Sequence, residues 1–86
     1  MIDHILSGPI QKARGVIGRY PDENERYVFL YEEPQMLGVH MIGVSGPLLV
    51  RWLLDDELVD EQVLMPWWGS HSAYADMVTE QRPRVA

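Results

Sequence analysis

Among the three histidines and four serines of this chain, His40, His71, Ser45, Ser70 and Ser72, with the carboxylates near them, are the candidates to move a proton or attack a carbonyl. Serine hydrolysis needs a nucleophile, a base and an orienting group in mutual reach. None of these serines stands in a nucleophile-elbow setting, and Ser70-His71-Ser72 is too local to form a triad by itself. A histidine on a strand is more often packed or at the surface than catalytic, so no catalytic residue is assigned. A small hydrolase-like enzyme with a pocket near His40 or His71 is the competing reading. A concave pocket holding either histidine against a carboxylate of perturbed pKa would favour it.

Metal chemistry is narrower still. Thioether and imidazole are soft ligands of the kind Cu(I) accepts, and an indole face can sit over a cation. Nothing in the spacing of Met36, Met41 and Met65 fixes such a geometry, and core filling is the more economical use of them. Asp55, Asp56 and Glu57 form an acidic triplet, but a Ca²⁺ loop needs about six or more spaced oxygen ligands and a glycine at its bend. The triplet reads as a solvated turn. The chain has no cysteine, which removes disulfides, thiolate sites and cysteine nucleophiles together. No metal and no cofactor is expected.

The sharper candidate is the adjacent pair Trp67-Trp68. Unless the loop twists sharply, neighbours cannot both enter one core pocket, so at least one indole is expected in solvent. An exposed tryptophan beside Gly69, His71 and Tyr74 would anchor a protein partner or a small ligand, because aromatics dominate interface hot spots. In the other reading Trp67 caps the core and Trp68 covers the mouth of a barrel. Trp67, Trp68, His71 and His40 are the expected partner-binding residues.

The elements that must hold these residues are strands. Leu48, Val50, Trp52 and Leu54 alternate with Leu49, Arg51 and Leu53, and after the acidic turn Val59, Val63 and Met65 alternate with Asp60, Gln62 and Leu64. The first strand, apolar on nearly both faces, belongs at the centre of a sheet; the second, with a polar face, belongs half-exposed or near an edge. Met1 to Leu6 predicts a short strand, Tyr27 to Tyr31 another ending before Glu32-Glu33-Pro34, and Gly38 to Val44 a third that turns at Ser45-Gly46-Pro47. Trp68 to Ser72 reads as a loop, and Ala73 to Thr79 as a last strand whose composition also suits a helix. Ser7 as an N-cap, Pro9, and the helical spacing of Ile10, Ala13, Val16 and Ile17 up to Gly18 predict one short helix near the amino terminus. Tyr27, Tyr31 and Trp52 are expected in the core or in cross-strand packing. The expected fold is therefore mainly β, or α+β: a small β-sandwich or barrel of about five to six mostly antiparallel strands with one short N-terminal helix, residues 1–86 forming a single domain.

Thirteen acidic residues face seven basic ones, for a net charge of −6, and of the seven only Lys12 is lysine. Lysine poverty beside an acidic surface is the look of proteins from salt-loving cells, where salt screens repulsion to roughly 3 Å at 1 M. An ordinary acidic protein is the plainer alternative. Nonspecific nucleic-acid binding is disfavoured, since it rests on phosphate neutralisation by Lys and Arg. No run approaches the roughly 18 apolar residues of a membrane span, and Asp3 and His4 stand where a secretory leader would be basic and then apolar. A cytoplasmic protein is expected, with no membrane partner.

Ala13-Arg14-Gly15-Val16-Ile17-Gly18-Arg19 resembles the arginine-glycine helix motif of the family called domain of unknown function 192, or uncharacterised ACR. The apolar run Tyr27 to Tyr31, His40-Met41 leading through Pro47 to the strand Leu48 to Leu53, and Pro66-Trp67 before Ala75-Asp76-Met77-Val78-Thr79-Glu80 follow in the family's order. The chain resembles a short member of haloarchaeal type. The resemblance implies a small, mostly β sandwich or barrel with one short helix and no established activity. The chain departs from the family at Leu49, where an aspartate is usual, and at Ile42-Gly43-Val44, where many members have lysine-asparagine-threonine. It also stops at Ala86, where longer members run on into a further strand. A carboxyl-terminal edge left uncovered by that short tail would invite weak homodimerisation.

Overall fold

The computed structural model describes residues 1–7 and 20–84. Among these, five strands form one mixed sheet: β1 (Ile2–Leu6), β2 (Glu25–His40), β3 (Leu48–Leu54), β4 (Glu57–Leu64) and β5 (Ser70–Gln81), in the order β1-β2-β5-β3-β4. Only β1 and β2 run parallel; the other neighbours are antiparallel. Mainly β is thus the fold. The helix expected after Ser7, with the motif Ala13 to Arg19, falls on residues 8–19, outside the described residues, and the described residues contain no helix.

Alternation along the strands puts one apolar face inward. Tyr27 and Phe29 on β2, Val78 on β5, and Leu48, Val50 and Trp52 on β3 lie on that face and are buried together. The inward positions of β5 then step by three, from Val78 to Ala75, before resuming by two at Ala73 and His71. This step lies opposite a register shift in β2 between Leu30 and Gln35. A bulged pair bends and twists more strongly than a regular ladder. The bend curls the far half of β2 and β5 over the core, and Trp52 reaches across it to donate Nε1–H to the Leu37 carbonyl at 2.7 Å.

Several expectations change here. Tyr27 to Tyr31 and the first part of Gly38 to Val44 are not separate strands but parts of β2; Glu32-Glu33-Pro34 lie exposed in the bulge, between the paired positions Leu30 and Gln35. Residues 41–44 form a turn instead, closed by Val44 N–H to the Met41 carbonyl at 3.1 Å with Gly43 at φ 83°. The last strand begins at Ser70, so Ala73 to Thr79 is strand throughout. On β4 the pairings Leu48 to Leu64 and Trp52 to Asp60 turn Asp60, Gln62 and Leu64 inward, leaving Val59, Val63 and Met65 exposed. Of the apolar members of that strand, Leu58, Val59 and Val63 therefore face solvent and Leu64 alone is buried. Met41 fills the core, whereas Met36 and Met65 are exposed and fill nothing.

The turn and edge assignments follow the sequence. Asp55 and Asp56 take positive φ, 49° and 65°, as the central pair of a tight hairpin, a geometry Asp tolerates better than most residues. β3 lies inside the sheet, between β5 and β4, and β4 lies at an edge. Among the described residues the last part of β5, Met77 to Gln81, is paired on both sides, with β2 and β3.

Candidate functional site

β4 and β5 are joined by residues 65–69, which are folded back on themselves by hydrogen bonds. Gly69 N–H donates to the Met65 carbonyl at 3.0 Å, Trp67 N–H to the Met41 carbonyl at 2.9 Å, and Met41 N–H to the Gly69 carbonyl at 2.9 Å. The loop is thereby tied to the end of β2. Gly69 is required by contact: a Cβ there would lie 2.7 Å from the Met65 carbonyl oxygen.

Inside this loop Trp68 N–H donates to the Pro66 carbonyl at 2.8 Å while Trp67 holds φ at 69°. A bond spanning two residues about a centre of positive φ is the rare, strained kind of γ-turn. For a bulky side chain this conformation is an outlier costing on the order of 1–3 kcal/mol. The turn holds both indoles outward, Trp67 at 57% and Trp68 at 92% exposure. Neither caps the core nor covers a barrel mouth. With His40, Ile42, Gly69 and Ser70 they line an open dish of about 710 Å³ to which, among the described residues, no carboxylate, lysine or arginine contributes. Replacing Trp67 by Gly will relax the turn, and we expect the melting temperature to rise, by an amount corresponding to about 1 kcal/mol. Thermal unfolding checks this; an unchanged or lower midpoint would show that the turn stores no strain.

His40 and His71 are separated by the sheet itself. His40 pairs with Ser70 and points with it to the outer face, whereas His71 pairs with Val39 and points inward. There His71 Nε2 meets Asp60 Oδ2 at 2.6 Å and its ring lies edge-on to Trp52, centroids 5.1 Å apart. His71 is thus not part of the indole dish. The pair clasps edge strand β4 to the curled half of β5. Its hydrogen bond, followed by one from Gln62, holds the Asp60 carboxyl below its ordinary value. A depressed carboxyl contributes stability above its unfolded pKa and loses it as pH falls through the folded one, so this clasp weakens only in acid. No serine hydroxyl reaches the pair: Ser70 and Ser72 alternate with His71 and project from the opposite face.

Two further groups were not anticipated. His4 Nε2 meets Glu25 Oε2 at 2.5 Å and its ring leans on Tyr27 at 5.3 Å, joining the parallel strands. Glu80 lies buried on the inward face, in one register row with Tyr27 and Val50, and burial pushes its carboxyl up to about 7. The alternation of β5 carries the signal for Glu80, but nothing in the sequence distinguishes a buried glutamate from an exposed one on a strand of unknown phase. Among the described residues no three His, Asp or Glu side chains gather as a metal set. No helix among them is long and apolar enough to cross a membrane.

With this geometry the chain can be set beside known proteins. No family model matches it, and no curated protein does. Two solved structures are similar. One, from Novosphingobium aromaticivorans, is described as a protein of unknown function: TM-score 0.82, 19% identity, over 92% of this chain and 61% of that one. The likeness shows the fold alone. The second, from Sinorhizobium meliloti and described as a putative transcription regulator, has a TM-score of 0.79 and 14% identity over 92% of this chain and 66% of that one. The chain therefore spans less than two thirds of either neighbour's length.

Proposed function

We propose that this protein is a non-catalytic interaction module whose Trp67-Trp68 turn docks a protein or small-molecule partner. The observation that carries this reading is the strained γ-turn. An indole at 92% exposure forgoes nearly all of the roughly 2–3 kcal/mol that its burial would contribute, and the backbone bears a further cost to hold it there. Rigid aromatic side chains pre-set in solvent are what a binding surface uses, because little ordering remains to be done when the partner arrives.

The hydrolase-like reading has one observation in its favour, the hydrogen bond of His71 to Asp60. Against it stand the placement of His40 and His71 on opposite faces and the lack of a serine beside the pair. The two readings separate in an amide and indole NMR titration against metals, sugars, nucleotides, small acids and peptides. Saturable shifts confined to His40, Trp67, Trp68 and Ser70 support docking. Shifts centred on His71 and Asp60, with turnover of the added compound, replace it with the enzyme, and silence at both sites removes both.

The setting belongs to the same proposal. The acidic composition supports a salt-adapted cytoplasmic protein that avoids nucleic acid, so any kinship with the Sinorhizobium neighbour's described role would lie in contacting protein rather than phosphate. A melting temperature that falls as salt is raised would count against salt adaptation. Membership of domain of unknown function 192 rests on the ordered motif pieces. A structure of an accepted member in which the Pro-Trp step lies outside the connection between its last two strands would remove it.

A further inference from the structure

The indole dish does not end at the tryptophans. The outward positions of the paired strand halves, Met36, Gly38 and His40 on β2 beside Tyr74, Ser72 and Ser70 on β5, continue from it as one exposed strip without a fixed charge. The strip has a low waist, since Gly38 offers no side chain and a Cβ there would lie 3.0 Å from Ser72 Oγ. Met36 and Tyr74 rise at one end and the indoles at the other. Just past Met36, where β2 bends, Glu32 and Glu33 are both exposed. From Glu33 to His40 is about 23 Å at full extension and less across the bend, within the reach of a peptide of about seven residues.

Charge selects the occupant. The protein carries −6 overall, which attracts cations and repels phosphates and acidic peptides at long range. Indole faces present negative quadrupole to a cation placed over them. Among the described residues Arg26 is held on Asp3, Arg51 on Glu61, and Arg82 over the Tyr20 ring and on the Pro21 carbonyl, and neither these nor Arg84 line the dish. We infer that the strip receives an extended basic segment of a partner protein, one Arg or Lys seated on the Trp67 and Trp68 indoles and a second, about seven residues away, facing Glu32 and Glu33. The inference rests on the docking role of the Trp67-Trp68 turn and names the chemistry of what docks.

The test uses a synthetic peptide of Gly and Ser with an arginine near each end, and its twin in which citrulline, equal in shape but uncharged, replaces both arginines. Indole fluorescence and calorimetry read the binding, at low and at high salt. The arginine peptide should bind about tenfold or more tightly than its twin, lose affinity as salt rises, and lose it again in Trp68→Ala and in the double variant Glu32→Gln/Glu33→Gln. Trp68 is almost wholly in solvent and the glutamates are exposed, so the variants should melt with the parent. Equal binding of the two peptides overturns the cationic segment but leaves aromatic docking standing. Binding of neither overturns the inference, with the docking role then decided by the NMR titration. Concentration-dependent dimerisation abolished by Trp68→Ala would put a second copy of this chain on the strip and overturn it too.

Discussion

Replacing Glu80 by Gln is expected to leave stability nearly unchanged at pH 4 and to raise it by about 3 kcal/mol at pH 8. Glu80 is 6% exposed, and its shift has one cause, loss of solvent around the charged form. The folded carboxyl titrates at about 7 against 4.5 for the free side chain. The native state therefore holds a proton that the unfolded chain has already released, and stability falls as pH rises from 4.5 through 7. A ratio of roughly 300 in proton affinity sets the total loss at about 3 kcal/mol. Above the folded value the loss levels off. Tyr31 is pushed up by burial and, less, by the same carboxylate, so its phenol will titrate closer to its ordinary value in the variant. Urea unfolding of both proteins across pH 4 to 9 measures the effect. Equal midpoints at pH 8 would show that water or a rearranged side chain already solvates the charge. Asp60 and Asp3, both held below their ordinary values by hydrogen bonds to His71 and Arg26, act in the opposite direction and weaken the fold only in acid. Maximum stability therefore lies on the acidic side of neutrality.

Trp52→Ala is expected to cost on the order of 3–5 kcal/mol, enough to leave a domain of this size barely folded. Trp52 is fully buried, and its indole is the cross-brace between β3 and the far half of β2. Removing it opens a cavity and strands the Leu37 carbonyl without its donor. Trp52→Phe separates the two contributions, since it keeps most of the apolar volume and loses only the hydrogen bond, for an expected loss of about 1–3 kcal/mol. Because the edge of Trp52 also supports the His71 ring, the β4 clasp will loosen in the alanine variant, visible as faster amide exchange along β4 than the global loss explains. If both variants lost the same amount, the hydrogen bond rather than the volume would be what holds the curl.

The sequence determined the parts that depend on local chemistry. A short run apolar on nearly both faces, Leu48 to Leu54, made β3 an interior strand, and Asp55-Asp56 made the turn, because a short acidic side chain tolerates positive φ. The tandem indoles announced an exposed aromatic. What the tertiary structure decided was everything carried by register. Period-two patterns give two faces but not which one turns inward, so β4 was legible as a strand while its inward set, Asp60, Gln62 and Leu64, came from its pairing with Leu48 and Trp52. A bulge has no local signature, so Glu32-Glu33-Pro34 looked like an end of strand, and only pairing with β5 shows β2 continuing through it. The same alternation parts His40 from His71, bringing the first to the indoles and the second to Asp60. Neighbours in the sequence list of polar groups became residents of opposite surfaces, since in a sheet the parity of a residue against its partner strand decides its company.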